Sequence, residues 1–471
     1  MAGLMKALLV FDRDEIPPNI HFNTPNPAID FTGLNITVPV CRMKLPSLGG
    51  EELISVNSFG FGGTNAHVVL QKYTEDKKQK LQPARGKLPA PLFLSAKSPL
   101  SLQALAAQYA ACMEDMTPDE AYEFSATAAF TREEYPVRAL VQAGSLPQLY
   151  AQLESLAALE HLDKFHPVIP NERQPGRGIY AFSGNGSQWC GMGHRLMQAD
   201  QVFKETLEEI DGFLGPLQGW SIMDVFRSPE RHEEVFVLTE KVQPLLFSVQ
   251  VALVKALENK GLRPSGVIGH SLGEVAAAWA CGSLSLEDAV SVIYHRSILQ
   301  GPLRGTGVMA VANIAQDAAQ ELLAEIDDGI EITAVNTDAS LTVAGPEESV
   351  RKFLAECKRR RVAGKMLDIP YPFHTRAMEG LKAALYERLS HIKAEPPKMP
   401  FYSTATGKLL STAPDLDYWY ANMRLPVLFA SAAKNAYADG FWHFLEIGPR
   451  PVLRSYMRDL FRNVQEGVAD S

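Results

Sequence analysis

The stretch that most constrains this chain is Gly269-His270-Ser271-Leu272-Gly273. An apolar run, Gly266-Val267-Ile268, leads into it, and Leu272 to Ala280 follows as a helix rich in small residues. The spacing predicts strand, sharp turn and helix, with Ser271 at the apex. Small residues on both sides permit the tight turn, and the turn projects the hydroxyl outward. Backbone N–H groups at the start of the helix point at the same spot and would serve an oxyanion. The bland alternative is a serine that caps the helix from 272. The strand before and the helix after favour a nucleophile.

Composition narrows the classes. The chain has 471 residues and a net charge of −9, with 46% hydrophobic and 21% charged residues. These values fit a globular protein of two to four domains and argue against non-specific binding to nucleic acid or an anionic membrane. The five cysteines are dispersed with no C-x-x-C, so neither disulfides nor a metal site is expected, and a reducing cytoplasm fits. No apolar run is long enough to span a bilayer and no signal peptide is evident.

Residues 1–75 carry three notable stretches: Ala2 to Leu9 as a helix, the Asn/Pro-rich segments Ile16 to Asn19 and Asn23 to Pro27, and Asn57 to His67 around the glycines at 60, 62 and 63. With no Lys-Ser/Thr after them, those glycines do not make a phosphate loop; they let two backbones pass closely. Together the stretches resemble the C-terminal part of a polyketide or fatty-acid ketosynthase. In that family the condensing cysteine and both catalytic histidines lie upstream, so they are expected to be missing, and His67 receives no catalytic role. A polar segment, Thr74 to Lys80, followed by Pro83, Pro89 and Pro91, reads as a linker. In 76–177 the pattern predicts strands at 92–95 and 137–142 and helices at 99–113 and 146–159, closed by a second polar stretch at 165–177. This segment resembles the small α/β adapter between ketosynthase and acyltransferase domains of modular synthases.

The chemistry lies in 178–471. Ile179 to Phe182 reads as a strand, and Ser183 to Trp189 as a turn entering a helix, which would offer donors at a helix N-terminus. Gln243-Pro244 opens an apolar helix ahead of the nucleophile strand. Between 305 and 368 the pattern runs strand, helix, strand, strand, helix, a ferredoxin-like subdomain inserted in a larger one. A late strand and turn covers Phe444 to Pro449.

A serine hydroxyl needs a base. Of the 11 histidines, His270 adjoins Ser271, but its ring is expected to point away. His374 ends an aromatic, proline-fixed loop where the chain rejoins the large subdomain, and is preferred. Arg296 continues the apolar stripe Leu286, Ala289, Val290, Ile293 of a helix opened by Ser285-Leu286-Glu287-Asp288. A buried arginine must find an anion: either an internal acid or a substrate carboxylate.

Ser183 to Gln188, Gln243-Pro244, Gly269 to Gly273, Arg296, Phe373-His374 and Glu446 to Pro449 occur in the order and spacing of malonyl-type acyltransferases, the extender-loading domains of polyketide synthases and animal-type fatty-acid synthases. The resemblance implies an α/β fold: an α/β-hydrolase-like large subdomain in two parts, 178–304 and 369–471, around the ferredoxin-like 305–368. It further implies Ser271 as nucleophile, His374 as base, the N–H groups of Asn185 and Leu272 as oxyanion hole, and Arg296 on the extender's free carboxylate. Gln243, Phe373, Tyr371 and His270 complete the substrate-binding set. The family usually has glutamine where Asn185 stands, but the contribution there is a backbone N–H. Tyr371-Pro372-Phe373-His374 mixes the malonyl-type His-Ala-Phe-His with the methylmalonyl-type Tyr-Ala-Ser-His; Phe373 and Leu272 lean toward malonyl.

The implied reaction is ping-pong acyl transfer from a coenzyme A thioester, malonyl-coenzyme A first, to the phosphopantetheine thiol of an acyl carrier protein, with no bound cofactor and no metal. Partners would be the carrier protein, the rest of the ketosynthase and other synthase domains, with no nucleic acid and no membrane. Three rivals stand beside it: a methylmalonyl-selective transferase, a serine hydrolase or thioesterase with an acid such as Asp338 or Asp368 between serine and histidine, and a non-enzymatic docking platform.

Overall fold

The computed structural model describes residues 2–46, 52–63, 65–73, 91–133, 135, 137–158, 177–326 and 329–466. Segment 74–80 with Pro83 and Pro89, and the second polar stretch up to residue 176, lie outside the described residues. The chain divides into two compact units, Met1–Asn171 and Glu172–Ser471.

In the first unit, helix Ala2–Arg13 buries Ala7, Val10 and Phe11, and Val10 and Phe11 pack with Leu45, Ile54 and Leu70. Strands Leu53–Phe59 and Asn65–Gln71 form an antiparallel hairpin closed by the glycine turn, where Gly63 sits at φ 87°. His67 bonds Asn57 across this hairpin at 2.5 Å, a structural contact. Further on, strands Leu92–Ala96 and Val137–Val141 pair antiparallel and pack with helices Pro99–Met113, Pro118–Thr131 and Leu146–Ala157. The middle helix was not expected. Its signal is Thr117-Pro118-Asp119-Glu120, a complete capping box: Glu120 N–H donates to Thr117 Oγ1, and the Glu120 carboxylate accepts from Thr117 N–H at 2.8 Å.

The second unit is built on a five-stranded sheet. Its strands are β1 (Gly178–Phe182), β2 (Gly266–Gly269), β7 (Phe401–Ser403), β8 (Lys408–Leu410) and β9 (His443–Ile447), in the order β8-β7-β2-β1-β9. All neighbours are parallel except the edge strand β8. Both β1 and β2 are buried along most of their length, as a parallel sheet covered on two faces requires. One face packs against the long helices Gln201–Gln218, Thr239–Asn259 and Leu286–Gln300, the other against Phe429–Ala438 and the final helix.

Inserted between β2 and β7 is a four-stranded antiparallel sheet of β3 (Val308–Ala312), β4 (Glu331–Thr337), β5 (Ser340–Gly345) and β6 (Gly364–Met366), in the order β4-β5-β3-β6, with helices Gln316–Ile326 and Glu347–Arg359 packed against it. That order and the strand–helix–strand–strand–helix–strand sequence are those of a ferredoxin-like subdomain. The fourth strand, β6, was missed because it is three residues long and lacks alternation.

Two local expectations need correction. The turn after β1 does not enter a helix: the next helix begins only at His194, so the 184–187 N–H groups belong to a loop and gain nothing from a helix dipole. Gln243-Pro244 does not open its helix, which starts at Thr239. Proline inside a helix frees the carbonyl one turn back; here the Ser297 hydroxyl, bonded to Tyr294 O at 2.8 Å, lies 3.4 Å from that Glu240 carbonyl.

Candidate active site

Ser271 sits between the end of β2 and helix Gly273–Ala280, at φ 53°. This left-handed conformation is costly for a residue with a Cβ and persists only where the surroundings enforce it. The enforcement is visible at two glycines: a Cβ on Gly269 would lie 2.4 Å from the Glu274 nitrogen, and one on Gly273 2.4 Å from the Phe182 oxygen. Helix and strand therefore approach more closely than any side chain would allow.

His374 is likewise left-handed, at φ 59°, and is 5% exposed. Its Nδ1 lies 2.9 Å from the Leu425 carbonyl, which can only accept, so Nδ1 carries the proton and Nε2 offers a lone pair. Nε2 lies 2.8 Å from Ser271 Oγ. Among the described residues no carboxylate bonds the ring, and Asp338, one acid the hydrolase reading offered, pairs with Lys434 instead. Burial first, then the charges of Arg296 and His270, hold the imidazole down to about 3, so it is neutral and ready to accept a proton.

Arg296 bonds directly to neutral groups, with the internal acid Glu274 one amide away. Its guanidinium is buried, 3% exposed. It donates to Asn422 Oδ1 (3.1 Å), Gln243 Oε1 (2.6 Å), Gln300 Oε1 (3.3 Å) and Ser271 Oγ (3.0 Å). All four acceptors are neutral. Desolvation lowers it to about 10, so the cation persists at neutral pH, with Glu274 as a nearby but indirect counter-charge.

Asn185 and Leu272 flank the serine. Their N–H groups make no hydrogen bond among the described residues. The Asn185 loop is fastened by Gln250, whose amide donates to Ser183 O at 2.7 Å, and by the Ser187 hydroxyl on Gly184 O. A cleft opens over Ser271, walled by Gly184, Asn185, His270, Phe373 and His374 on one side and by Met309, Asn336 and Leu367 of the small subdomain on the other.

Four members of the expected set, Arg296, Leu272, Gln243 and Tyr371, lie outside the residues that line the cleft. His270 does turn from the serine hydroxyl, but its ring lines the same cleft and bonds Asn336 Oδ1 at 3.0 Å. Gln243 lies behind Arg296, held by Thr239 and Gln300, outside the cleft lining. Tyr371 also lies outside it: its hydroxyl accepts from Thr239 N–H at 3.3 Å, and its ring stacks on Phe373 at 5.0 Å. Sequence reasoning passed over Glu274 and Asn422, which underlie the serine and the arginine. The one available signal was an acid directly after the glycine of the turn.

A hydroxyl that accepts from a guanidinium and faces a neutral imidazole, on the strained turn of a parallel sheet, is equipped for acyl transfer through a serine ester. The chain belongs to the acyl transferase domain family, whose model matches residues 179–470; residues 25–141 match the ketoacyl-synthetase C-terminal extension. The relatives are polyketide synthases. The chain is 31% identical over 456 residues to erythronolide synthase EryA2 of Saccharopolyspora erythraea, and 30% identical over 472 residues to mycoketide-CoA synthase of Mycobacterium tuberculosis. Those matches take in 96% and 100% of this chain but only 13% and 11% of the relatives. Among solved structures, the acyltransferase domain from module 8 of the salinomycin polyketide synthase is 29% identical with a TM-score of 0.70, covering 80% of this chain and 90% of that one. A loading acyltransferase from the avermectin modular polyketide synthase is 33% identical with a TM-score of 0.58, covering 61% and 92%.

Proposed function

We propose that this chain loads an extender acyl group, malonyl in preference to methylmalonyl, from coenzyme A onto Ser271 and passes it to the phosphopantetheine thiol of an acyl carrier protein. Residues 1–75 are the end of a condensing domain, and 76–177 an adapter, within a larger synthase. No cofactor takes part; coenzyme A enters only with the substrate.

The observation that carries this reading is the Arg296 guanidinium, buried among neutral acceptors with one N–H on the serine oxygen. A thioester with a free carboxylate supplies the direct anionic partner that none of these acceptors provides. Binding it neutralises Arg296, which otherwise depresses His374, and so makes the imidazole a stronger base when the substrate is in place. His374 Nε2 takes the Ser271 proton, Oγ attacks the thioester carbonyl, and the N–H groups of Asn185 and Leu272 receive the oxyanion. The imidazolium returns the proton to the departing coenzyme A thiolate. The carrier thiol reverses the sequence, with His374 taking its proton.

Phe373 supports malonyl. It lines the cleft beside His374, with Tyr371 stacked behind it and pinned through Thr239. Apolar pocket contacts separate substrates differing by one methyl by only about 1 to 3 kcal/mol; a ring that cannot retreat adds steric exclusion. The acyltransferase domain of SpnD, 26% identical with a TM-score of 0.65, was solved with a malonyl bearing a pentynyl group on its α-carbon, so exclusion of a methyl here rests on this chain's own Phe373 and not on the fold.

The test is a competition between malonyl- and acetyl-coenzyme A. Arg296→Ala is expected to lower the malonyl-to-acetyl loading ratio by tens to thousands, since losing a charged partner costs about 2 to 5 kcal/mol. An unchanged ratio would assign Arg296 to a structural role.

A further inference from the structure

Behind the serine and the arginine lies one amide. Asn422, 3% exposed, stands on helix Leu416–Arg424. Its Nδ2 donates to the Ser271 carbonyl at 3.0 Å and to Glu274 Oε2 at 2.8 Å, and its Oδ1 accepts from Arg296 Nε at 3.1 Å. These partners dictate the amide's orientation, because a guanidinium only donates and a carboxylate and a carbonyl only accept. Glu274 is fully buried and is held by three donors, Asn422, Tyr418 Oη (2.9 Å) and Thr404 N–H (2.5 Å), with the Thr404 hydroxyl turned to the Gly269 carbonyl at 2.7 Å. A buried carboxylate and a buried guanidinium thus face each other through a single amide, whose dipole is aligned with both charges. The same amide holds the carbonyl of the residue in the strained conformation.

We propose that Asn422 is a positioning residue: it ties the Ser271 backbone and the Arg296 guanidinium to Glu274, and so sets both serine reactivity and the selection of anionic acyl groups. The relay takes only the Nε–H of Arg296, so the Nη2 group beside Ser271 Oγ keeps its second N–H for a substrate carboxylate. This rests on the acyl-loading function proposed above.

The experiment uses the full chain with Asn422→Ala and the isosteric Asn422→Asp, and two readouts. One is the malonyl-to-acetyl loading ratio in competition. The other is the rate at which phenylmethanesulfonyl fluoride, a neutral reagent, labels Ser271. Leaving Arg296 and Glu274 without their shared partner is expected to lower the ratio in Asn422→Ala by roughly ten- to a hundredfold and to slow labelling. Asn422→Asp replaces the two-proton Nδ2 by an oxygen that can donate to at most one of Glu274 Oε2 and Ser271 O, so the tie to both is lost; its ratio should fall and its labelling slow as in Asn422→Ala, while acetyl loading persists. A variant that merely lost packing would slow both acyl groups alike and leave the ratio intact, which would overturn the proposal. If Asn422→Ala does not fold, Asn422→Asp alone decides. If the unmodified chain loads neither acyl group, the function fails, and the labelling rate still judges the positioning: slowed labelling in the variants supports it, and unchanged labelling overturns it.

Discussion

Two non-glycine residues in left-handed conformation, Ser271 and His374, face each other across 2.8 Å. Ser271 was legible because its turn is written in contiguous residues. Arg296 was legible because a charge interrupts an apolar stripe. Glu274 and Asn422 were not legible, because their role depends on two helices meeting, which no local pattern encodes. His374 carries a pH prediction. Burial depresses it to about 3, against 6.5 for a free imidazole. The folded chain therefore binds fewer protons than the unfolded one between those values, so the stabilisation present above pH 6.5 is lost as pH falls toward 3, at about 1.4 kcal/mol per unit for one group. His374→Gln should flatten that acid limb of denaturation midpoints against pH, while cutting acylation by about 10² to 10⁴. An acid limb as steep as that of the unmodified chain would mean the imidazole is not held neutral.

Among elements, the close approach of helix Gly273–Ala280 to β1 and β2 is what places the serine. Gly273→Ala would set a Cβ 2.4 Å from the Phe182 oxygen and 2.9 Å from the Ser183 oxygen, both backbone atoms that move only with the sheet. Overpacking of this kind costs about 1 to 3 kcal/mol, to be read from chemical denaturation alongside Ser271 acylation. Unaltered stability would contradict the packing described for the turn. Elements with long periodic signals were read within one or two residues, such as Pro99–Met113 and Leu286–Gln300. Those set by tertiary context were not: β6 exists because β3 offers an edge, and Thr239–Asn259 runs through Pro244 within a buried layer of helices.

At the scale of the second unit, the cleft exists because an inserted sheet faces the nucleophile turn. β4 is stitched to the large subdomain where Val335 N–H donates to Val427 O and Val427 N–H to Thr333 O, at 2.8 and 2.9 Å. That insertion could be read from its strand–helix rhythm; the walls of the cleft could not, since Asn336, Met309 and Leu367 carry no motif. Among the described residues no helix is long and apolar enough to cross a membrane. The central claim is that Ser271 carries an acyl group chosen for its charge and its bare α-carbon. It is tested most directly by intact mass and peptide mapping after incubation with equal malonyl-, methylmalonyl- and acetyl-coenzyme A. The account predicts one dominant malonyl ester, on Ser271, absent from Ser271→Ala and discharged by a phosphopantetheinyl carrier protein. A dominant methylmalonyl or acetyl adduct, or an adduct that persists in Ser271→Ala, would contradict it.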